Sequence, residues 1–397
     1  MQLDPAQQKI LDGEQGQAAR MAMEILVALG RIYGALRLAP VRSVQIAGVS
    51  YHNLGDAGLE YLADLAVDGK VQVPTTLNPA GMDLERWTEM GISEDFAAKQ
   101  RRVIEAYTRM GVSLSCTCTP YLLGNRPRRG ETLAWSESSA VTFANSVLGA
   151  RTNREGGPSA LASALTGVTA IYGLHLDNER RPTLAVHATC PLAGSDDWGL
   201  LGAVIGKTRP GALPWIRSRT RPDDSELRAL SAALPTFGGK PMFHLQGVTP
   251  EAEQHRPPDD VLTVDRAMIE RTRAELESGD DTIDLVALGC PHASFEELET
   301  IAHLLDGGRA VVPLWISTAR GTLERARAAG IVQNIEALGG HVWADTCFAV
   351  APLKGRFARV ATSSAKGCFY GSGHNLFRMR LGSLEQCIAA ACSGTWT

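Results

Sequence analysis

Between residues 259 and 397, short apolar runs alternate with stretches of helical period, and this alternation limits the available folds more than any other feature. Residues 265–277 read as helix, 283–288 as strand, 295–305 as helix, 310–315 as strand, 320–338 as helix and 341–343 as extended chain. A helix between consecutive strands returns the chain so that the second strand lies parallel to the first, with the helix covering one face. Reactive groups in such sheets collect where strands give way to helices.

The earlier part of the chain carries a looser version of the pattern. Residues 4–38 have helical spacing through Ile10, Met21, Ile25, Leu29 and Ile32. Residues 43–47 predict a strand ending at Gly48, 56–66 a helix, and 71–73 a strand stopped by Pro74. Ser93 is placed to cap a helix over 94–110, and 134–148 reads as a helix rich in Ser and Ala. Strands are predicted over 184–189 and 203–205. The glycines around them (Gly194, Gly199, Gly202, Gly206) lack the spacing of a nucleotide loop. Residues 217–258, richer in Pro, Asp and Gly, read as a connection. The expected organisation is therefore an N-terminal α/β part over 1–258 and a second α/β unit over 259–397.

Composition excludes several classes of partner. A net charge of −4 gives no electrostatic footprint for nucleic acid. The densest basic group, Arg126, Arg128 and Arg129, suits a solvated or anion-facing loop. No apolar run of about 18 residues is present, so no membrane span is expected. The N-terminus is polar and acidic rather than basic and then apolar, which points to the cytoplasm. Eight scattered cysteines are expected to be reduced, as buried thiols or metal ligands, and not a disulfide framework.

Three of them fall at transitions between predicted elements: Cys118, Cys290 and Cys347. Thiolates suit iron–sulfur clusters, and three ligands leave one iron position open for a substrate hydroxyl. A free cysteine is also commonly buried as a small hydrophobe, and spacing alone leaves both readings standing. Polar loops accompany them. Residues 48–58 carry Ser50, Asn53 and Asp56 into a helix start, which offers free N–H groups to an anion or is simply capped by Asn53 or Asp56. Residues 74–83 carry Thr75 and Thr76. Residues 149–159 carry Arg151, Asn153, Arg154 and Glu155, in which the arginines suit an anion and Glu155 an acid–base role or an arginine partner. Residues 362–367 join small hydroxyls to Lys366.

Taken together, GVSYHNLGDAG (48–58), VPTTLNPAGMD (73–83), CTPY (118–121), WSESSAVTFANSVLGARTNREGGPS (135–159), YGLHL (172–176), GCPH (289–292) and DTC (345–347) resemble the aconitase X family over nearly the whole chain. The resemblance implies an aconitase-like fold of stacked α/β domains around an iron–sulfur cleft. It also implies a cluster, of open nuclearity, on Cys118, Cys290 and Cys347. Around it, Glu155, Lys366 and Ser50 are the expected catalytic residues. Ser50, Asn53, Asp56, Thr75, Thr76, Asn153, Arg154 and Lys366 are the expected substrate contacts.

The activity implied is that of a hydro-lyase removing water from a small hydroxy acid. Family members act on cis-3-hydroxy-L-proline, giving a pyrroline carboxylate, or on mevalonate 5-phosphate. Hydroxyproline is the expected substrate here, because no phosphate-binding constellation stands out. Mevalonate 5-phosphate, cradled by Arg126, Arg128 and Arg129, is the alternative, and a non-catalytic cluster-binding protein is a further one. Many members carry a swivelling domain, fused or separate, that supplies a serine base. No such domain is recognised within these residues, so a separate small subunit is the expected partner. After Lys366 the family's usual Tyr-Ala-Pro-Gly-like loop is replaced by Cys368-Phe369-Tyr370-Gly371, so contacts there are expected to differ.

Overall fold

Three parallel sheets follow one another along the chain, in a computed structural model that describes residues 1–278 and 281–397. The first has the order Thr75–Leu77, Val44–Ile46, Ala134–Trp135. In the second the order is His244–Leu245, Pro214–Ser218, Leu184–Ala188, Val261–Val264. The third runs Gly340–Ala344, Leu314–Thr318, Leu285–Ala293, Arg359–Thr362, Arg378–Leu381. A small antiparallel pair, Leu38–Pro40 with Val168–Ala170, completes the first region. Among the described residues no helix is long and apolar enough to cross a membrane.

The alternation in the last third produces the third sheet. Its central strand, Leu285–Ala293, is flanked on both sides, and Val286, Leu288, Leu314 and Ile316 are buried. Ser294 then starts the helix Phe295–Leu304 with a reciprocal cap. Its hydroxyl accepts from Glu297 N at 3.3 Å, while the Glu297 carboxylate accepts from Ser294 N at 2.8 Å. The expected helix over 320–338 is two, Arg320–Ala328 and Ile331–Ala337, broken at Gly330 with φ +79°.

Other elements differ from expectation for physical reasons. Residues 203–205, expected as strand, lie inside the helix Gly194–Thr208, where Ala203, Val204 and Ile205 are all buried. A helix buried all round carries no amphipathic period to read. Its glycines serve contact with the helix Asp224–Gly238, which occupies the stretch expected as a connection. A Cβ on Gly202 would lie 2.9 Å from Leu234 N, and one on Gly206 would lie 2.5 Å from Gly238 N. A cut between residues 258 and 259 would separate Val261–Val264 from its partner Leu184–Ala188; the change of sheet falls later, after the helix Arg266–Leu276. Pro74 does not stop a strand over 71–73. It introduces one: its carbonyl accepts from Val44 N at 2.9 Å, and Thr75–Leu77 follows.

Candidate active site

A cavity of about 260 Å³ opens where the strands of the first and third sheets end. Most of the contributing segments leave the carboxyl end of a parallel strand or the helix start that follows. Ala47, Gly48, Ser50 and Asn53 follow Val44–Ile46, and Asn78 and Pro79 follow Thr75–Leu77. Ser136, Glu137 and Ser138 follow Ala134–Trp135. From the third sheet come Cys290 near the end of the central strand, Cys347 beyond Gly340–Ala344, and Lys366 beyond Arg359–Thr362. Carboxyl ends of parallel strands are the usual place for a ligand in such folds.

Cys118 lines the same cavity, so all three expected cysteines share it. Burial raises each thiol: Cys118 well above its ordinary range, Cys290 above it, and Cys347 up to about 12. Such thiols are neutral until a metal draws off the proton. Among the described residues no three His, Cys, Asp or Glu side chains close around a single ion. A polynuclear cluster interposes iron and sulfide between its thiolates. Three thiols lining one cavity are the soft donors such a cluster takes.

His292 ties the cysteine segments together. Its ring is fully buried, with Nε2 3.0 Å from Thr346 O and Nδ1 3.1 Å from Thr117 Oγ1, while its backbone N–H donates to Cys118 Sγ at 3.2 Å. Burial pushes its pKa down to about 4, so the ring is neutral. The Cys347 loop is also held against the first sheet. Ala80 N donates to Asp345 O at 2.7 Å, and Arg320 joins Asp345 to Asp83, the latter at 2.8 Å.

Lys366 and Glu137 form a buried ion pair on the cavity wall, and Lys366 Nζ also donates to Ser138 Oγ at 3.2 Å. Burial works to raise the Glu137 carboxyl, but Lys366, the Ser139 N–H and Arg154 outweigh it and hold it below its ordinary value. Burial likewise pulls the Lys366 ammonium down, and Glu137 overcomes this. Glu137 was not singled out from the sequence. Its signal was an acid at the start of an otherwise neutral Ser/Ala stretch, where it accepts from Ser139 N at 2.6 Å and caps the helix Ser138–Ser146. Tyr370 and His374 also line the cavity without having been predicted.

The expected substrate residues divide into those the cavity gathers and those it does not. Ser50, Asn53, Arg154 and Lys366 line it. Ser50 Oγ donates to Val350 O at 3.0 Å. Arg154 is exposed at the rim, and among the described residues it makes no ion pair. Glu155 lines an adjoining cavity of about 470 Å³, which shares Ala47, Gly48, Ser136 and Arg154 with the first. There Glu155 Oε2 accepts from Ser159 Oγ at 2.7 Å, Oε1 has no partner among the described residues, and burial raises the carboxyl. Thr75 and Thr76 sit at the entry of their strand and line a third cavity with Arg126; the strand runs away from them toward the site. Asn153 lies outside this cavity's lining, donating to Tyr172 O at 3.0 Å and accepting from Leu174 N at 2.9 Å. Asp56 is exposed and accepts from the Tyr51 hydroxyl at 2.8 Å. Arg151 pairs with Asp177, and Arg128 and Arg129 are exposed outside this cavity.

Comparison with known proteins agrees with this geometry. Aconitase X first, second and third domains match residues 1–178, 182–274 and 283–393. A relative from Methanothermobacter thermautotrophicus, "Phosphomevalonate dehydratase large subunit", is 48% identical over 94% of this chain and 94% of its own. "Cis-3-hydroxy-L-proline dehydratase" of Pseudomonas aeruginosa is 38% identical over 99% of this chain but 70% of its own. The crystal structure of Thermococcus kodakaraensis aconitase X, a holo-form, superposes with a TM-score of 0.92 at 42% identity, covering 98% of this chain and all of that one. Fold and relatives together define a hydro-lyase of the aconitase superfamily, a group that generally binds an iron–sulfur cluster. Within it, the chain belongs to the aconitase X family.

Proposed function

We propose that this chain is the large subunit of a phosphomevalonate dehydratase, acting with a separate small subunit and an iron–sulfur cluster held by Cys118, Cys290 and Cys347. The observation that carries the substrate is the gradient among relatives. Phosphomevalonate dehydratase large subunits span 37% to 48% identity with matched lengths, four of the five at 42% or more, whereas the hydroxyproline dehydratases stand at 38% and 36% and are longer chains. The hydroxyproline expectation gives way to its alternative. Arg126, Arg128 and Arg129, expected to cradle the phosphate, do not line the cysteine cavity, so that role passes to Arg154.

Dehydration of a 3-hydroxy acid breaks the C3–O bond and the C2–H bond and leaves a C2–C3 double bond. A bound cluster supplies Lewis acidity to the leaving hydroxyl. The chain's own residues bind and orient. Arg154, at the rim and without an ion pair among the described residues, offers a planar fork to the phosphate. Lys366 keeps its proton because Glu137 faces it, and two of its three N–H bonds are used on Glu137 and Ser138. The ammonium also faces the Tyr370 ring from 5.8 Å, and its charge is placed to meet the substrate carboxylate, whose charge grows as the C2 proton leaves. The Ser50 proton is committed to Val350 O, so Ser50 positions the substrate, and the C2 base is assigned to the small subunit.

The test is anaerobic co-purification with the small subunit, iron and sulfide analysis, and assays with both compounds. Turnover of mevalonate 5-phosphate by an iron-loaded complex is expected. Turnover of cis-3-hydroxy-L-proline alone would overturn the substrate. A loaded complex inert toward both would overturn the enzyme.

A further inference from the structure

We propose that His292 is a positioning residue: its imidazole clasps the three cysteine segments together and sets how firmly the cluster is retained. The inference rests on the ligand reading above and extends it to a side chain that need not touch iron or substrate.

Cys118, Cys290 and Cys347 come from three distant parts of the chain, and something must hold their loops in one register. His292 lies two residues beyond Cys290 and reaches the other two loops. The carbonyl of Thr346, next to Cys347, can only accept, so Nε2 carries the hydrogen and donates to it at 3.0 Å. Nδ1 is then left with its lone pair, and the hydroxyl of Thr117, next to Cys118, donates to it at 3.1 Å. The Thr117 oxygen is itself oriented by Thr119 N–H at 3.1 Å. The backbone N–H of His292 points at Cys118 Sγ from 3.2 Å.

The donors and acceptors therefore form a directed chain, from Thr119 through Thr117 and the ring to Thr346. A rigid planar ring fixes the span between the Cys118 and Cys347 loops in a way a flexible side chain does not. Outer partners of metal ligands typically contribute 10–100-fold to retention of the metal, because they fix ligand orientation.

The test uses the two-subunit holoenzyme, loaded anaerobically, and follows iron transfer to a strong chelator together with the visible absorption of the cluster. Thr117→Val and His292→Gln should each speed iron loss about tenfold. The double variant should lose iron no faster than the worse single one, since both break one clasp. Thr117→Ser, which keeps the hydroxyl, should retain iron as wild type does. Melting of the iron-free chain separates this effect from general destabilisation, and Thr117→Val carries the test if His292→Gln does not fold. Wild-type iron loss in the two single variants, or loss that merely tracks iron-free melting, overturns the clasp while leaving the ligand set standing. Wild type that never takes up iron overturns the ligand reading itself, and the clasp with it.

Discussion

Two neighbouring cavities share a wall of Ala47, Gly48, Ser136 and Arg154, and each buries one carboxyl group, the two shifted in opposite directions. Glu137 faces the cysteines, pairs with Lys366 and is held below its ordinary pKa. Glu155 faces an annex lined by Leu54, Tyr61, Tyr107 and Leu161; among the described residues its carboxylate has Ser159 alone for a hydrogen-bond partner, and its pKa is held above the ordinary value. Both are buried to a similar degree, so burial does not distinguish them. A buried cation does. The cation beside the cysteine segments favours the charged form of one acid, and burial without a cation disfavours the charged form of the other.

The largest expected effect lies wholly on the cysteine side. Cys347→Ala removes one of three thiols, and dehydration should fall below detection with iron content reduced. Glu155→Gln, on the annex side, should keep full iron. Equal iron loss in both variants, measured by metal analysis, would erase the distinction between the cavities. Next comes the ion pair. Lys366→Met leaves a buried carboxylate without its partner, at a cost of about 3–5 kcal/mol in urea unfolding. Adding Glu137→Gln should recover much of that loss. A double variant as unstable as the single one would show that the lysine acts through packing and not charge.

How much of this was legible in the sequence follows from chemistry of different range. Alternating strand and helix patterns place polar loops at carboxyl ends of strands, and that is why Ser50, Asn53, Cys290, Cys347 and Lys366 share one cavity. The polar run over 74–83 also spans a strand, however, and only its far end reaches the site. Asn78 lines the cavity while Thr75 and Thr76, at the entry end, line another. The Glu137–Lys366 pair joins residues 229 positions apart, and no local period records such a pairing. The helix Gly194–Thr208 was hidden for a different reason: buried on every side, it shows neither the alternation of a strand nor the stripe of a surface helix.

A smaller effect tests the shared wall. Arg154→Lys keeps the charge but loses the planar fork, and KM for mevalonate 5-phosphate should rise about tenfold with kcat little changed. A fall in kcat at constant KM would place Arg154 in the chemistry instead of in binding.

The smallest effect separates the two acids most directly, through the pH dependence of unfolding of the iron-free chain. For Glu155, the folded pKa lies above the unfolded one. As pH rises past the ordinary carboxylate range, the unfolded chain ionises while the folded chain still holds its proton, so folding becomes less favourable. Glu155→Gln removes that penalty, and its stability relative to wild type should improve as pH rises through and above the ordinary carboxylate range. Glu137 has the opposite sign. Its folded pKa lies below the unfolded one, so its contribution is present above the ordinary range and is lost as pH falls through the folded value. Glu137→Gln should therefore be most destabilising at neutral pH and approach wild type in acid. Parallel slopes for the two variants would mean that Lys366 does not set the charge of its neighbour, and the two cavities would lose the electrostatic difference argued for them.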